Sequence, residues 1–351
     1  MTTRRKILFT IAAIAISAVA ASIVLLGVDV YLHGRYQKSA GFNVWGYRGT
    51  PVGRKQAGEY RVVVLGGSAA YGYGVTADDA MPAVLQKLLR ERVPSPTFTV
   101  VNLGYNNEGA YSFKSTLQDY RWLKYDLAIL YEGYNDMGER TNVQVFRHDS
   151  PVFRIAGYMP IFPIIFKEKA AAMLNGGDPG ALYRQNDSGK TVFHASIATR
   201  ASAGMLDATA NVARALEAQL GRIAEEPVHN VDSSTSAGCA GRWGPYCQSM
   251  AAAVRYAREQ GAQVLVATQP YLRMRDYVQA AHMAQQGELR GMLARQFSGD
   301  PSVGYVNLGD AVNLEDPQLS FDHMHLTETG NRLAAAAFVD PVIAMARKKT
   351  T

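Results

Sequence analysis

Short apolar runs rich in β-branched residues alternate with helical patterns along most of this chain, and no other feature restricts its fold as much. Runs of this length, bounded by turn residues, are typical of buried strands. They lie at Arg61–Leu65, Phe98–Leu103, Leu127–Tyr131, Val264–Thr268 and Val303–Leu308. The helical patterns lie at Met81–Arg92, Ser112–Leu123, Ala208–Ile223, Met250–Gln260, Asp276–Gln296 and Glu328–Arg347. Strands that alternate with helices predict an α/β fold, a sandwich built on a parallel sheet.

A charge-free apolar segment from Ile7 to Val28 precedes this alternation. A helix of that length spans a hydrocarbon core of roughly 30 Å. Arg4-Arg5-Lys6 comes directly before it, and the positive-inside tendency keeps such a flank in the cytoplasm. We therefore predict a single-pass transmembrane anchor in residues 1–30, with the rest of the chain periplasmic or extracellular. The alternative is a secreted protein, because Ala18-Val19-Ala20 has the small residues of a signal-peptide cleavage site.

Composition and charge exclude one class of partner. The 351 residues are 48% hydrophobic and 19% charged, which allows one large domain with a substantial core. The net charge of +6 at pH 7 includes basic clusters at the two ends, residues 4–6 and 347–349. Because a nucleic-acid-binding surface needs a clustered basic face, and none stands out between the ends, we expect no nucleic-acid partner.

The chain divides into an anchor, a linker and one domain. Residues 31–59 are rich in glycine, tyrosine and basic residues without clear periodicity, which favours a linker before a domain at residues 60–351. The stretch 139–199 interrupts the alternation, contains several prolines and carries the apolar run Tyr158–Phe166, so we predict an insertion. The run is compatible with a lid, with a surface that dips toward the membrane and with an ordinary buried segment.

Two cysteines, Cys239 and Cys247, lie in a segment whose glycines and proline let the chain turn back. An exported compartment permits a disulfide between them. Two unpaired thiols remain the alternative, because sequence does not fix the Cβ geometry of a bridge.

The first strand ends in Gly66-Gly67-Ser68. In open parallel sheets ligands bind beyond the carboxyl ends of the strands, and two glycines allow a tight turn there that presents the serine hydroxyl. Ser68 is therefore the candidate nucleophile. Glycine-serine turns also serve as helix caps and anion cradles, so this motif alone does not decide the matter.

Near the end of the chain, Asp322 precedes His325 by three residues, and a helical pattern follows. One short loop then supplies a histidine base and the carboxylate that orients its imidazole. A metal site formed by Asp322, His323 and His325 is the alternative, but no other compact cluster completes a familiar ligand set. We expect no metal and no cofactor.

Two further loops carry candidate hydrogen-bond donors. The loop after the second strand contains Gly104 and Gly109, whose backbone amides are able to approach a ligand closely. Asn135 follows the third strand, and a side-chain amide at a strand end donates well to a developing oxyanion. Ordinary turn chemistry explains both loops equally well when each is taken alone.

Taken in order, Gly-Gly-Ser after the first strand, a glycine loop after the second, Gly-Tyr-Asn-Asp after the third and Asp-His-Met-His before the last helix resemble the SGNH, or GDSL-type, hydrolase superfamily. The resemblance implies a flavodoxin-like three-layer α/β/α sandwich with a parallel five-stranded sheet. It also implies that Ser68 is the nucleophile, His325 the general base and Asp322 its orienting partner. The oxyanion donors would be the Ser68 amide, Asn135 and a glycine of the second loop, for which we favour Gly109 and keep Gly104 as the alternative.

The expected activity is hydrolysis of carboxylic esters through a Ser-His-Asp acyl-enzyme mechanism, including O-acetyl groups on saccharides. The partners would be an acylated saccharide or lipid as substrate and the membrane through the N-terminal helix. Two alternatives stay open: a polysaccharide O-acyltransferase, in which a sugar hydroxyl replaces water, and a non-catalytic carbohydrate-binding protein of the cell envelope.

Overall fold

A parallel five-stranded sheet organises the computed structural model, which describes residues 2–38, 41–138, 145–162, 165, 239, 241–273 and 275–350. The strands are β1 (Glu59–Gly66), β2 (Thr97–Asn102), β3 (Leu127–Tyr131), β4 (Gln263–Thr268) and β5 (Val303–Asn307). All neighbouring strands pair in parallel in the order β2-β1-β3-β4-β5. This is the flavodoxin-like order, so the predicted fold is confirmed.

The helices of the described residues agree with most of the sequence patterns. They are α1 (Thr3–Tyr36), α2 (Ser68–Tyr71), α3 (Met81–Arg92), α4 (Phe113–Asp119), α5 (Pro151–Ala156), α6 (Gly244–Glu259), α7 (Asp276–Phe297) and α8 (Glu328–Thr350). Single 3-10 turns lie at Ala110–Ser112, Arg121–Leu123, Tyr134–Asp136 and Gly241–Trp243. The helix predicted at Ala208–Ile223 lies outside the described residues.

The alternation of side chains along the strands produces three layers. Successive strand residues point to opposite faces of a sheet, and here both faces are covered. One face of β1, β3 and β4 packs against α4, α6 and α7 through Val63, Leu65, Ala128, Leu130, Val264 and Val266. The other face packs against α3 and α8 through Val62, Val64, Leu127, Ile129, Leu265 and Ala267.

One predicted helix differs in the structure. The pattern Ser112–Leu123 predicted a single helix, whereas α4 ends at Asp119 and the chain tightens into a 3-10 turn after Tyr120. Tyr120 is fully buried, and its hydroxyl donates to the Trp45 carbonyl oxygen at 2.7 Å. This contact with a segment far away in the sequence is not visible in the local periodicity.

The stretch predicted as a linker, residues 31–59, is partly helical and partly packed against the sheet. α1 continues to Tyr36, and both Tyr47 and Arg48 are buried. The Arg48 backbone amide donates to the Asn102 carbonyl oxygen at 3.1 Å, and its guanidinium donates to the carbonyl oxygens of Tyr71 and Gly72 at the end of α2. The segment thereby covers the outer edge of β2.

The two cysteines are joined. Cys239 and Cys247 form a disulfide with a Cα–Cα distance of 6.1 Å. Cys247 lies in α6 and is fully buried in the core, so the bridge ties the chain before α6 to the helix layer.

α1 is long and apolar enough to cross a membrane, and it is the one such helix in the part of the chain that the structure describes. Its most apolar window has a mean hydropathy of 2.6, and none of that window is buried. A membrane anchor and a signal sequence both have this character.

Candidate active site

Ser68 stands at the point where β1 turns into α2. The strand ends at Gly66, and Ser68 is the first residue of the short helix. A Cβ atom on Gly67 would lie 2.6 Å from Glu132 Oε2 and would overlap the side-chain nitrogen of Asn135. The turn therefore has room only for glycine at position 67.

Asp322 and His325 lie in a loop that folds back on itself. Ser320 and Leu326 form an isolated antiparallel bridge, and Ser320 Oγ donates to the His325 carbonyl oxygen at 2.9 Å. Within the loop, Asp322 Oδ1 accepts hydrogen bonds from the backbone amides of His325 at 2.7 Å and Met324 at 3.1 Å. The aspartate therefore holds the backbone of the histidine that it orients.

The structure brings the three sequence-predicted residues together. His325 Nε2 lies 2.8 Å from Ser68 Oγ, and His325 Nδ1 lies 2.6 Å from Asp322 Oδ2. A carboxylate only accepts hydrogen bonds, so Nδ1 carries the hydrogen and neutral Nε2 is left to accept the serine hydroxyl hydrogen. This is the geometry of a nucleophile, a base and an orienting acid.

Asp322 is suited to stabilise a positive imidazole. Partial burial acts to raise the pKa of its carboxyl, but hydrogen bonds and charge interaction with His325 outweigh burial and lower the pKa below its ordinary value. The carboxyl is therefore ionised at neutral pH. An ionised carboxylate 2.6 Å from Nδ1 stabilises the imidazolium that forms when His325 takes a proton.

Asn135 lies beside the nucleophile turn. It belongs to the 3-10 turn after β3, and its backbone amide donates to Glu132 Oε1 at 3.0 Å. Its side-chain nitrogen carries two hydrogens and donates one to the Glu108 carbonyl oxygen at 2.9 Å. Because the same nitrogen is near the Cβ position of Gly67, the amide faces the turn that presents Ser68.

The two glycines of the second loop have different surroundings. The Gly104 amide donates to Asn102 Oδ1 at 3.0 Å, and a Cβ there would lie 2.6 Å from the Tyr71 nitrogen. Gly104 therefore allows the loop after β2 to approach α2 closely. Its backbone N–H already donates to Asn102. Gly109 adjoins Glu108, whose carbonyl oxygen accepts the Asn135 side-chain amide, and a Cβ on Gly109 would lie 2.5 Å from Asp136 Oδ1.

Two exposed aromatic rings contact the histidine, and the sequence analysis did not identify them. The Tyr73 ring centroid is 4.8 Å from that of His325, and the Phe321 ring stacks on the same imidazole with centroids 5.9 Å apart and an interplanar angle of 17°. Both side chains are more than 40% exposed, so they border the opening of the site. Their positions in the sequence, close to Ser68 and His325, could have indicated that these two rings lie beside the site.

A buried carboxylate beneath the site was also missed. Glu132 is fully buried, and its oxygens accept hydrogen bonds from the backbone amides of Gly67, Gly133 and Asn135. It thereby connects the nucleophile turn to the Asn135 loop. The signal in the sequence was an acidic residue directly after a fully apolar strand, where an unpartnered charge would be costly.

Burial sets the ionisation of Glu132. Desolvation, reinforced by the nearby charge of Asp136, raises the pKa of Glu132 from 4.5 to about 7, although three backbone amides favour the ionised form. Near neutral pH the site thus contains a carboxyl group that is poised between its two charge states.

His323, the remaining residue of the alternative metal site, has a different contact. His323 Nδ1 lies 3.3 Å from the Leu314 carbonyl oxygen, and its backbone has a left-handed φ of 62°. Within the described ranges no group of three or more His, Cys, Asp or Glu side chains is arranged to hold a metal ion.

Comparison with known proteins identifies related sequences and folds. The sequence model of the GDSL-like lipase/acylhydrolase family matches residues 64–333. No curated protein matched the chain. Similar solved structures include a G-D-S-L family lipolytic protein from Desulfitobacterium hafniense, with 13% identity, coverage of 80% of this chain and 98% of that chain, and a TM-score of 0.40.

Two further structures are similar at the same level. LAE5, an alpha/beta hydrolase enzyme from the metagenome of Lake Arreo, is 14% identical, with coverage of 82% and 96% and a TM-score of 0.44. A catalytic mutant of Axe2, an acetylxylan esterase from Geobacillus stearothermophilus, is 13% identical, with coverage of 83% and 95% and a TM-score of 0.43. With similarity this low, these structures add nothing to the functional interpretation.

The raised pKa of Glu132 predicts a pH-dependent stability. The unfolded chain loses this proton first, near pH 4.5, so the stabilisation present below that pH is lost as the pH rises to about 7. We expect the unfolding free energy of wild-type protein to fall over this range relative to that of Glu132→Gln, which does not titrate. Urea titrations in detergent at several pH values measure the difference.

The exposed Glu259 in α6 provides the matched control. Glu259→Gln should give a curve parallel to that of wild-type protein. If the unfolding free energy of Glu132→Gln also follows that of wild-type protein across this pH range, the pKa of Glu132 is not raised by folding.

Proposed function

The chain belongs to the GDSL-like lipase/acylhydrolase family and is a carboxylic-ester hydrolase, and we propose that it works through an acyl-enzyme formed on Ser68. The 2.8 Å contact between Ser68 Oγ and His325 Nε2 is the observation that carries this proposal. The serine proton has an acceptor in place, and the acceptor is itself oriented by Asp322.

Acylation proceeds in two steps. Ser68 Oγ attacks the ester carbonyl carbon while His325 Nε2 takes the hydroxyl proton, giving a tetrahedral intermediate and an imidazolium held by Asp322. The intermediate then breaks its bond to the alcohol oxygen, which receives the proton from His325 and leaves. Ser68 now carries the acyl group as an ester.

Deacylation repeats the sequence with water. His325 takes a proton from a water molecule, whose oxygen attacks the acyl carbon. Collapse of the second intermediate releases the carboxylic acid, and His325 returns the proton to Ser68 Oγ. The residues return to their starting states, and no cofactor enters this scheme.

We assign the oxyanion hole to the backbone amides of Ser68 and Gly109 and to the side-chain amide of Asn135. The position of Asn135 beside Gly67 and Glu108 supports this assignment. Such donors act on charge that develops only in the transition state, and each lowers the barrier by about 3 to 4 kcal/mol.

The proposed substrates are esters of acylated saccharides or lipids, including O-acetylated saccharides. The exposed rings of Tyr73 and Phe321 at the opening support a substrate with an apolar or ring-shaped part, because aromatic faces pack well against such groups. Comparison of a series of p-nitrophenyl acyl esters with acetylated oligosaccharides identifies the preferred class.

We further propose that α1 anchors the enzyme in a membrane, with its N-terminus in the cytoplasm and the catalytic domain of residues 60–351 exported. The long apolar character of α1 and its basic flank support this arrangement. The protein should resist extraction from membranes by alkaline carbonate, and its domain should be cut by protease added outside the cytoplasm. Release by carbonate, or protection from protease, would contradict the arrangement.

Replacement of the nucleophile gives the central test. Ser68→Ala should lower the rate of p-nitrophenyl acetate hydrolysis by about 10⁴- to 10⁶-fold, because no other group forms the acyl-enzyme. Full-length protein in detergent is used, with the exposed Ser298→Ala as control. Equal rates in wild-type protein and Ser68→Ala would exclude Ser68 as nucleophile, and acyl release only with a saccharide acceptor would indicate a transferase.

The oxyanion assignment predicts a separate kinetic effect. Asn135→Ala should lower kcat by about 10²- to 10³-fold with little change in KM, since the lost interaction forms in the transition state. Asn107 provides the control in the neighbouring loop. It is exposed and has a left-handed φ of 62°, so Asn107→Gly removes its side-chain amide without straining the backbone. A change confined to KM would show that Asn135 binds the substrate and not the oxyanion.

A further inference from the structure

The end of α1 is fastened to the catalytic domain by a buried carboxylate. Asp29, directly after the apolar segment, is 1% exposed. Its Oδ1 accepts hydrogen bonds from the backbone amides of Ile161 at 2.8 Å and Phe162 at 2.6 Å, and its Oδ2 accepts one from the Tyr158 hydroxyl. We call residues 29–36 the helix foot, since the domain begins to enclose the helix at this level.

A buried histidine completes this attachment. His33 Nδ1 lies 2.7 Å from the Phe42 carbonyl oxygen, and Nε2 lies 2.8 Å from the Met159 carbonyl oxygen and 3.2 Å from Asp29 Oδ2. Carbonyl oxygens only accept hydrogen bonds, so both contacts are satisfied when both ring nitrogens carry hydrogen. The helix foot is therefore held from two sides and is not a free tether.

These contacts set the height of neighbouring residues relative to a bilayer. If the hydrocarbon core ends near Val28, His33 lies about 7.5 Å above it, at the outer edge of a head-group zone that is roughly 5 to 7.5 Å deep on each side. Met159, which binds His33, also donates its amide to the Val44 carbonyl oxygen at 3.0 Å. The chain around residues 44–45 thus lies close to the level of the head groups.

Three large apolar side chains are exposed next to this level: Trp45 (40%), Trp122 (45%) and Ile155 (66%). We call them the interfacial patch. The two indole rings are 5.9 Å apart, and Gly157, two residues after Ile155, approaches the Trp45 ring. Tryptophan is enriched where a membrane meets water, because its ring is apolar and its N–H needs a polar partner.

The charges beside the patch suit an anionic surface. Arg121 and Lys124 flank Trp122 and are exposed. Basic side chains at the head-group level are attracted to anionic lipids. The nearby Asp119 is engaged with His148 at 3.1 Å.

We propose that the interfacial patch rests in the head-group region of an anionic lipid bilayer, so that the domain contacts the membrane through a second surface beside α1. The proposal rests on the membrane anchoring proposed above. The helix foot and α2 share one apolar cluster, to which both Leu32 and Tyr71 belong. Tyr71 is the last residue of α2, which begins at Ser68. Docking would therefore hold the active site at a set distance from the bilayer surface.

Tryptophan fluorescence tests the docking in the full-length protein. The chain has three tryptophans, and Trp243 is buried, so subtracting the spectrum of the Trp45→Phe, Trp122→Phe double variant isolates the patch. The protein is reconstituted in phosphatidylcholine–phosphatidylglycerol vesicles with or without lipids brominated near the head group. Brominated lipid should quench the difference signal about twofold or more, because interfacial indoles contact the upper acyl chains.

Two results would overturn the docking. Quenching by aqueous acrylamide without quenching by brominated lipid would place the patch in water. Protection from both quenchers would indicate that protein covers it, such as a second copy of the chain. Esterase activity of the double variant, expected to equal that of wild-type protein in detergent, confirms that it is folded.

Alkaline carbonate extraction of the same vesicles separates the two proposals. If the protein is extracted, α1 does not span the bilayer, and both the anchoring and the docking fail. If it resists extraction while acrylamide quenches the patch and brominated lipid does not, the anchoring stands and the docking alone is wrong.

Discussion

The parallel pairing of β1 with both β2 and β3 is the constraint on which the site depends. Gly66 pairs with Tyr131, and Val64 pairs with Asn102, so the three strands end at one edge of the sheet. The loops that follow them must therefore meet. Glu132 connects the loops after β1 and β3, because its carboxylate accepts hydrogen bonds from backbone amides in both. The side-chain amide of Asn135 connects the loop after β2 by donating to the Glu108 carbonyl oxygen.

This arrangement explains why a glycine precedes Ser68. Gly67 has no side chain because the Glu132 carboxylate and the Asn135 amide fill the adjacent space. Burial of an ionised carboxylate costs free energy, and the hydrogen bonds that Glu132 accepts from three backbone amides offset part of this cost. The position of Ser68 is thus fixed by a group on the neighbouring strand as well as by its own turn.

The attachment of α1 extends this network of contacts to the N-terminal helix. Asp29 and His33 bind backbone groups of residues 42 and 159–162, and Leu32 belongs to the same apolar cluster as Tyr71 of α2. An apolar helix that ended in a flexible linker would leave the orientation of the domain open. Here buried hydrogen bonds couple the direction of the helix to the position of the site.

The sequence by itself determined the five strands, most helices and the candidates Ser68, Asn135, Asp322 and His325. Hydrophobic periodicity and the chemistry of short motifs are local properties, so neighbouring residues suffice to recognise them. Tertiary structure decided the role of Glu132, the different surroundings of Gly104 and Gly109, the break at Tyr120 and the packing of residues 41–59. Each of these depends on contacts between residues far apart in the chain, and such contacts exist only once the sheet has brought its loops together.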